Sequence, residues 1–207
     1  MLIGDSIRRG YDKYTRMSFE GVANVYYTEE NCRFAAYVLR HLIDWKVNTG
    51  CPEDVDCVHW NAGLWDCLIL EDGKHLTPIE VYADYIERVC NAIKRYFPKA
   101  KVIFATSTPV IEERFTGIFK RLNKDIELYN KTAVDIVTKH GFEVNDLYSL
   151  VKGVPDEYYS DMTHLYTKEG TRKITDRVIK VLEDALDIKG KPLDYDKLFG
   201  ETEVVGL

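Results

Sequence analysis

The 207-residue sequence lacks any apolar run of the roughly 20 residues that a membrane-spanning helix needs. It also lacks a run rich in lysine or arginine, and its formal net charge is -6 at pH 7. An acidic chain without a basic stretch is a poor match for a nucleic-acid backbone. We therefore expect neither a membrane nor a nucleic acid as partner, whereas a neutral or cationic small substrate is easier to accommodate.

Metal-ligand spacings are missing as well, because the cysteines form no CxxC pair and the histidines show no HxH or HxxxH spacing. We therefore expect no metal site and no cofactor. The five cysteines are Cys32, Cys51, Cys57, Cys67 and Cys90. An odd number does not complete a disulfide framework, so reduced thiols are expected. A Cys51–Cys57 bridge across Pro52 stays open for an oxidising compartment.

No secretory signal precedes Gly4, which favours a cytoplasmic protein. The first candidate strand has only three residues, which is short for a central strand. A natural N-terminus further upstream, with more strand residues or an export signal, therefore stays open. The sequence does not indicate an oligomeric state.

Apolar runs alternate with stretches of helical periodicity, a pattern typical of a parallel sheet covered by helices on both faces. The candidate strands are residues 1–3, 22–27, 55–60, 102–105 and 142–147. Helices are expected from about residue 34 to 48, from about 77 to 96, around 126–137, and from near Thr167 onward. For the second of these, Thr77 is the expected N-cap, Pro78 the first helical residue and Glu80 the capping-box glutamate.

The predicted fold is a three-layer α/β/α, flavodoxin-like domain with a five-stranded parallel sheet over residues 1–187. Residues 188–207 are expected to form a tail that packs on this domain or trails from it. No internal repeat or second domain is indicated.

Three short motifs follow predicted strands: Gly4-Asp5-Ser6, Asn61, and Asp161-Met162-Thr163-His164. The carboxyl ends of parallel strands share one edge of the sheet, so these motifs should meet. A serine nucleophile needs a histidine base, an acid that orients the base, and donors for the oxyanion. We assign these roles to Ser6, His164 and Asp161, with the Ser6 amide and the Asn61 side chain as oxyanion donors.

Each motif alone also has a structural interpretation. Gly4-Asp5-Ser6 can be a simple turn, Asn61 can be a cap, and Asp161 with His164 can be a helix-start aspartate and a surface histidine. Their joint occurrence, in order and at strand ends, favours catalysis. The aromatic residues that flank the predicted site are Trp60, Trp65, Tyr158, Tyr159 and Tyr166. Aromatic rings at such positions can stack on the face of a sugar, although core packing explains aromatic residues more often. The Lys120-Arg121 pair is interpreted as a solvated surface.

These motifs resemble the SGNH, or GDSL-type, hydrolases, whose invariant serine, glycine, asparagine and histidine lie in four separate blocks. The resemblance spans residues 4 to 164. The first block matches at Gly4-Asp5-Ser6-Ile7, and the last matches at Asp161 and His164. The resemblance therefore implies that Ser6 is the nucleophile, Asp161 the acid and His164 the base. The third block keeps only its asparagine, so the carry-over to Asn61 rests on position.

The second block of the family supplies a glycine whose amide is a further oxyanion donor. Its place falls near Asn31-Cys32 here, and neither residue is glycine. A backbone N–H survives such a replacement, so the amide of Cys32 is the predicted donor. Asn31 beside it is an alternative, and Gly21 is a poorer one.

The resemblance implies a metal-independent serine ester hydrolase that acts through an acyl-enzyme on short acyl groups. Residues 61–66 also look like a bacterial subgroup often assumed to act on acylated sugars, so an O-acetyl carbohydrate is the preferred substrate class. A thioesterase or lysophospholipase using the same residues is one alternative. A non-catalytic carbohydrate-binding protein is another, because the second-block glycine is absent and the third block is altered.

Overall fold

The structure, a computed structural model, describes residues 1–200 of the chain and contains one parallel sheet. Its strands are β1 (Leu2–Ile3), β2 (Cys57–Trp60), β3 (Lys101–Ala105) and β4 (Glu143–Asn145). They are arranged in the order β1-β2-β3-β4. The register pairs Ile3 with Trp60, Trp60 with Phe104, and Phe104 with Val144.

Helices occupy most of the chain between the strands. The α-helices of residues 1–200 are α1 (Ser6–Arg9), α2 (Asp12–Ser18), α3 (Ala35–Asn48), α4 (Ile79–Tyr96), α5 (Asn123–Lys139), α6 (Leu147–Val151), α7 (Lys168–Leu186) and α8 (Tyr195–Gly200). Two 3-10 helices cover Glu112–Arg114 and Asp156–Tyr158. Over the same residues no helix combines the length and apolar character needed to cross a membrane.

The sheet has four strands, not the predicted five. Within residues 22–27 only Tyr27 bridges to the sheet, parallel to Leu2, and the Leu2 N–H donates to the Tyr26 carbonyl at 2.8 Å. Because β1 is only two residues long, it offers too few backbone groups for a longer ladder on that side. The apolar segment therefore lies along β1 without forming a strand.

The α/β class itself is confirmed, with helices covering the sheet on both faces. All four residues of β2 are buried, which requires cover above and below the strand. Helices α3, α4 and α5 pack side by side, while α2 and α7 pack against each other and α7 also contacts β2. The core between these layers contains large side chains such as Trp60, Phe104 and Tyr82.

Most predicted helix ends agree with the structure, but the start of α4 does not. Pro78 is its N-cap with extended backbone (φ -53°, ψ 147°), so α4 begins one residue later than predicted. Thr77 makes no side-chain cap, and its N–H donates instead to the Asp66 carbonyl at 3.0 Å. Thr167 does cap α7, because its hydroxyl accepts the Gly170 N–H at 3.2 Å.

The tail packs on the domain as far as residue 200, and residues 201–207 of that prediction lie outside the described residues. The Lys191 N–H donates to the Ser18 carbonyl at 2.7 Å, and the Ser18 hydroxyl donates to the Lys191 carbonyl at 2.8 Å. Helix α8 was not predicted, since six residues are too few for a clear helical period. All five cysteines fall within the described part and are free and buried, so no Cys51–Cys57 bridge is present.

Candidate active site

The three motifs meet at the carboxyl edge of the sheet. Ser6 opens α1 directly after β1, Asn61 follows β2, and Asp161 with His164 lies in the loop before α7. The Asn61 N–H donates to the Ile3 carbonyl at 3.0 Å, so the ladder between β1 and β2 continues one residue past the strand. This bond holds Asn61 beside the Gly4-Asp5-Ser6 turn.

Ser6, His164 and Asp161 form one hydrogen-bonded chain. His164 Nε2 lies 2.8 Å from Ser6 Oγ, and His164 Nδ1 lies 2.6 Å from Asp161 Oδ2. Because an ionised carboxylate only accepts, Nδ1 carries the proton and Nε2 is free to accept the serine hydroxyl. Such an arrangement activates a hydroxyl as a nucleophile.

Backbone N–H groups of the same loop also hold the Asp161 carboxylate in place. Asp161 Oδ1 accepts the backbone N–H groups of Thr163 at 2.6 Å and His164 at 2.8 Å. Burial works to raise the pKa of Asp161, but these bonds and the bond from the His164 ring outweigh it, so its pKa lies below the ordinary carboxyl value. Asp161 is therefore ionised at neutral pH and stabilises a protonated His164.

Gly4 leaves space that the Asn61 side chain fills. A Cβ atom built on Gly4 would lie 1.9 Å from Asn61 Oδ1 and 2.8 Å from the Cβ of Arg8. Real Cβ atoms do not approach other atoms this closely, so a side chain at position 4 would displace the Asn61 amide. The sequence motif thus sets the position of the asparagine that lies beyond the next strand.

The Asn61 amide is buried without a hydrogen-bond partner among the described residues. It is near enough to Asp5 to favour the ionised form of that carboxylate, but outside hydrogen-bonding geometry. A buried unpaired donor costs about 1–3 kcal/mol. Asn61 Nδ2 is therefore a donor without an acceptor, next to the turn that carries Ser6.

The Ser6 amide is a second available donor. Asp5 caps α1, since its Oδ1 accepts the Ile7 N–H at 2.9 Å, and Ser6 is the first helical residue. An N–H at that position has no acceptor within the helix. Burial raises the pKa of Asp5, opposed by the nearby Asn61 amide, by the bond from the Ile7 N–H and by the charges of Arg121 and His164.

Known proteins are similar to this chain in sequence or in fold, although no family model matches it. The GDSL esterase/lipase WDL1 of Oryza sativa subsp. japonica is 24% identical over 55% of this chain and 46% of its own length, so the chain spans about half of that relative. A GDSL esterase/lipase of Arabidopsis thaliana is 23% identical over 80% of this chain and 74% of its own.

Solved structures agree in fold. A GDSL-like lipase of Bacteroides thetaiotaomicron superposes with a TM-score of 0.69 at 17% identity, over 89% of this chain and 87% of that one. The acetyl xylan esterase AlAXEase superposes with a TM-score of 0.66 at 17% identity, over 87% and 98%. The chain is thus similar in sequence to GDSL esterases/lipases and similar in fold to solved GDSL-type hydrolases.

The structure contradicts one site residue that was predicted from this SGNH pattern. The Cys32 N–H donates to the Gly4 carbonyl at 3.1 Å, so it is already engaged and does not serve as the oxyanion donor. The neighbouring Arg33 has a left-handed backbone (φ 50°), and its N–H donates to Asn31 Oδ1 at 2.9 Å. That bond uses the Asn31 side chain, and the Asn31 N–H has no acceptor among residues 1–200, so the alternative to Cys32 stays a prediction beside Ser6 and Asn61. A Cβ on Gly21 would meet only Lys191 Nζ of the tail, at 3.9 Å, and no residue of the triad within 4 Å.

Tyr166 contacts the triad directly, which goes beyond the flanking position predicted for it. Its ring stacks on the His164 ring with centroids 4.7 Å apart and an interplanar angle of 29°. Its hydroxyl donates to the Ser6 carbonyl. A Cβ on Gly10 would lie 2.7 Å from the Tyr166 ring, so this glycine makes room for the stack. Trp60, in contrast, is buried in the core against Phe104 and does not reach a substrate.

Two arginines near these motifs have structural contacts that the sequence did not predict: Arg8 was not singled out, and Arg121, interpreted as part of a solvated surface, is half-buried. Arg8 is fully buried and pairs with Asp12, and it also donates to the carbonyls of Thr28 at 2.8 Å and Glu30 at 2.6 Å. It therefore ties α1 to the loop before α3. Arg121 Nε donates to the Leu64 carbonyl, 57 residues away along the chain, and no local pattern indicates such a contact.

Proposed function

We propose that this protein is a carboxylic ester hydrolase that forms an acyl-enzyme on Ser6. The observation that carries the proposal is the hydrogen-bonded chain from Asp161 through His164 to Ser6, with the unpartnered Asn61 amide beside it. The names of the curated relatives, GDSL esterase/lipase, support the same reaction class.

In the first half of the reaction, Ser6 Oγ attacks the ester carbonyl while His164 Nε2 takes the hydroxyl proton. Asp161 holds the Nδ1 proton and stabilises the imidazolium. Asn61 Nδ2 and the Ser6 N–H donate to the developing oxyanion. Loss of one such donor typically lowers kcat by about 10²–10³.

His164 then returns its proton to the leaving alcohol, and the Ser6 acyl ester remains. In the second half, water attacks this ester with His164 as base, and collapse of the second tetrahedral intermediate frees Ser6 and the carboxylic acid. Each step uses the same base and the same oxyanion donors. The mechanism needs no metal ion.

A short acyl group, such as an acetyl on a carbohydrate hydroxyl, is the proposed substrate. Similarity to the solved acetyl xylan esterase supports this choice. The partly exposed ring of Trp65 follows Asn61 by four residues and would provide an apolar surface for such a ligand. The complete hydrogen-bonded chain favours an enzyme over a non-catalytic binding protein.

The experiment is hydrolysis of an aryl ester series from acetyl to octanoyl by wild type and Ser6→Ala, with a chelator present. We expect chelator-resistant activity that is highest for acetyl and absent in the variant. Activity that the chelator abolishes would contradict the metal-independent route. A maximum at octanoyl would contradict the short-acyl assignment, and equal activity in Ser6→Ala would contradict the serine mechanism.

A further inference from the structure

Arg121 is a half-buried cation without an anionic partner. Its Nε donates to the Leu64 carbonyl, and its guanidinium lies 5.9 Å from the centre of the Trp65 ring. Among residues 1–200, no carboxylate lies within ion-pair distance of Arg121, and no hydrogen bond to its two terminal nitrogens is formed. The guanidinium is thus anchored on one edge and unpaired on the other.

Arg8 provides a comparison, because it is an arginine of the same protein with a structural role. Arg8 is completely buried, and its guanidinium is saturated by the Asp12 carboxylate and the carbonyls of Thr28 and Glu30. Charged groups withdrawn from water are normally paired in this way. Arg121 departs from that rule, and burial lowers its pKa below the ordinary arginine value.

The position of Arg121 connects it with the triad. Leu64, to which it is anchored, follows the oxyanion donor Asn61 by three residues. The charge of Arg121 acts on Asp5, the residue before Ser6. The neighbouring Lys120 bridges to Ile69, which holds this segment against the loop that follows Asn61.

We propose that Arg121 is an anion-binding subsite of the ester site, which receives a carboxylate or phosphate carried by the substrate. This inference rests on the proposed ester hydrolysis and names the substrate class more closely. The two terminal nitrogens on the open edge of the guanidinium pair with two oxygens of such a group. The subsite reverses the expectation of a neutral or cationic substrate that net charge alone suggests.

The test compares acetyl esters that differ in one group. The anionic substrates are 4-acetoxybenzoate, with a carboxylate, and 4-acetoxyphenyl phosphate, while 4-acetoxybenzamide is the neutral counterpart. A second pair, the mono-4-nitrophenyl ester of glutaric acid and 4-nitrophenyl pentanoate, places the charge on the acyl part. Spontaneous hydrolysis is subtracted, and each preference is expressed as a ratio of kcat/KM values.

The variants are Arg121→Met, which keeps an unbranched apolar stem, and Arg121→Lys, which keeps the charge without the planar fork. Lys120→Met is the matched control, because it removes the same charge from the exposed neighbour. We expect wild type and Lys120→Met to prefer the anionic member of at least one pair by about tenfold or more. Arg121→Met should lose this preference, and Arg121→Lys should retain part of it.

A ratio of anionic to neutral kcat/KM near one for both substrate pairs in wild type would overturn the subsite but leave ester hydrolysis intact. The same holds if the ratio in Arg121→Met equals that of wild type. If Arg121→Met does not fold, an unchanged ratio in Arg121→Lys together with a loss in Lys120→Met would have the same effect. The relative preference for carboxylate and phosphate identifies which anion the subsite takes.

Binding distinguishes this inference from the proposed function. Calorimetry measures the affinity of the Ser6→Ala protein for uncleaved 4-acetoxybenzoate and 4-acetoxyphenyl phosphate, with and without Arg121→Met. Binding that depends on Arg121 would support the subsite even if wild type hydrolysed no ester. Absence of binding to both anions, or binding that is equal in both proteins, would overturn it.

Discussion

Substitution of Gly4 by alanine should slow catalysis by displacing the side chain of Asn61, 57 positions away. The added Cβ would lie 1.9 Å from Asn61 Oδ1, so the amide must move by about 1 Å to reach even 3.0 Å. Misplacement of a catalytic group by about 1 Å costs on the order of 10² in rate. We therefore expect Gly4→Ala to lower kcat on acetyl aryl esters by about 10²–10³, the cost of one lost oxyanion donor.

A double-mutant cycle tests whether this loss passes through Asn61. Asn61→Ala should lower kcat by a similar factor, and the double variant should resemble either single variant because both changes remove the same interaction. The contact with the Arg8 Cβ at 2.8 Å persists in both backgrounds. Overpacking should therefore reduce the free energy of unfolding by about 1–3 kcal/mol in each.

Gly117→Ala is the matched control, because a Cβ there meets no atom within 4 Å and the backbone φ is not positive. It should leave kcat within about twofold of wild type, since exposed sites without special contacts tolerate substitution. Strictly multiplicative losses in the Gly4→Ala, Asn61→Ala cycle, or a fully active Gly4→Ala protein, would refute the coupling between the turn and the asparagine.

The remaining predictions concern the triad, Tyr166 and Asp66. His164→Ala and Asp161→Asn should each lower kcat by about 10⁴ without unfolding the domain, measured by ester turnover and circular dichroism; near-normal turnover in either would contradict the triad. Tyr166→Phe, which keeps the ring on His164 but loses the bond to Ser6, should lower kcat by up to about tenfold, and Tyr166→Leu should lower it further; equal turnover in both would show that the stack is irrelevant. Burial raises the pKa of Asp66 to about 7. Between about pH 4 and 7 this carboxyl is therefore ionised in the unfolded state but still protonated in the folded state. The free energy of unfolding consequently falls by up to about 1.4 kcal/mol for each pH unit that the pH rises. Urea denaturation at pH 5, 6, 7 and 8 should show that Asp66→Asn removes this slope, and an unchanged slope would contradict the assignment.

Chain order alone was enough to predict which motifs meet. Ser6 and Asn61 each follow a strand of a parallel sheet, and His164 lies before the last long helix, so their convergence follows from the topology. The periodicity of α3, α5 and α7 likewise predicted those helices, because each has one apolar face. These features depend on residues close together in sequence or on one general rule about sheets.

Other features depend on tertiary pairing that no local pattern encodes. Residues 22–27 have strand-like composition, but a ladder also needs a partner, and the two-residue β1 is too short. The block spacing of the resembling family pointed to Cys32, but spacing does not indicate that the Cys32 N–H is bonded to the Gly4 carbonyl. Whether Arg121 has an anionic partner depends on residues far away in the sequence, which its local pattern does not indicate.

The most direct test of the central claim is covalent labelling with a fluorophosphonate probe, followed by intact mass measurement and peptide mapping. Wild type should gain one probe on the peptide that contains Ser6, His164→Ala should react much more slowly, and Ser6→Ala should stay unlabelled. Labelling of Ser6→Ala at the wild-type rate, or attachment at another residue, would contradict Ser6 as the activated nucleophile.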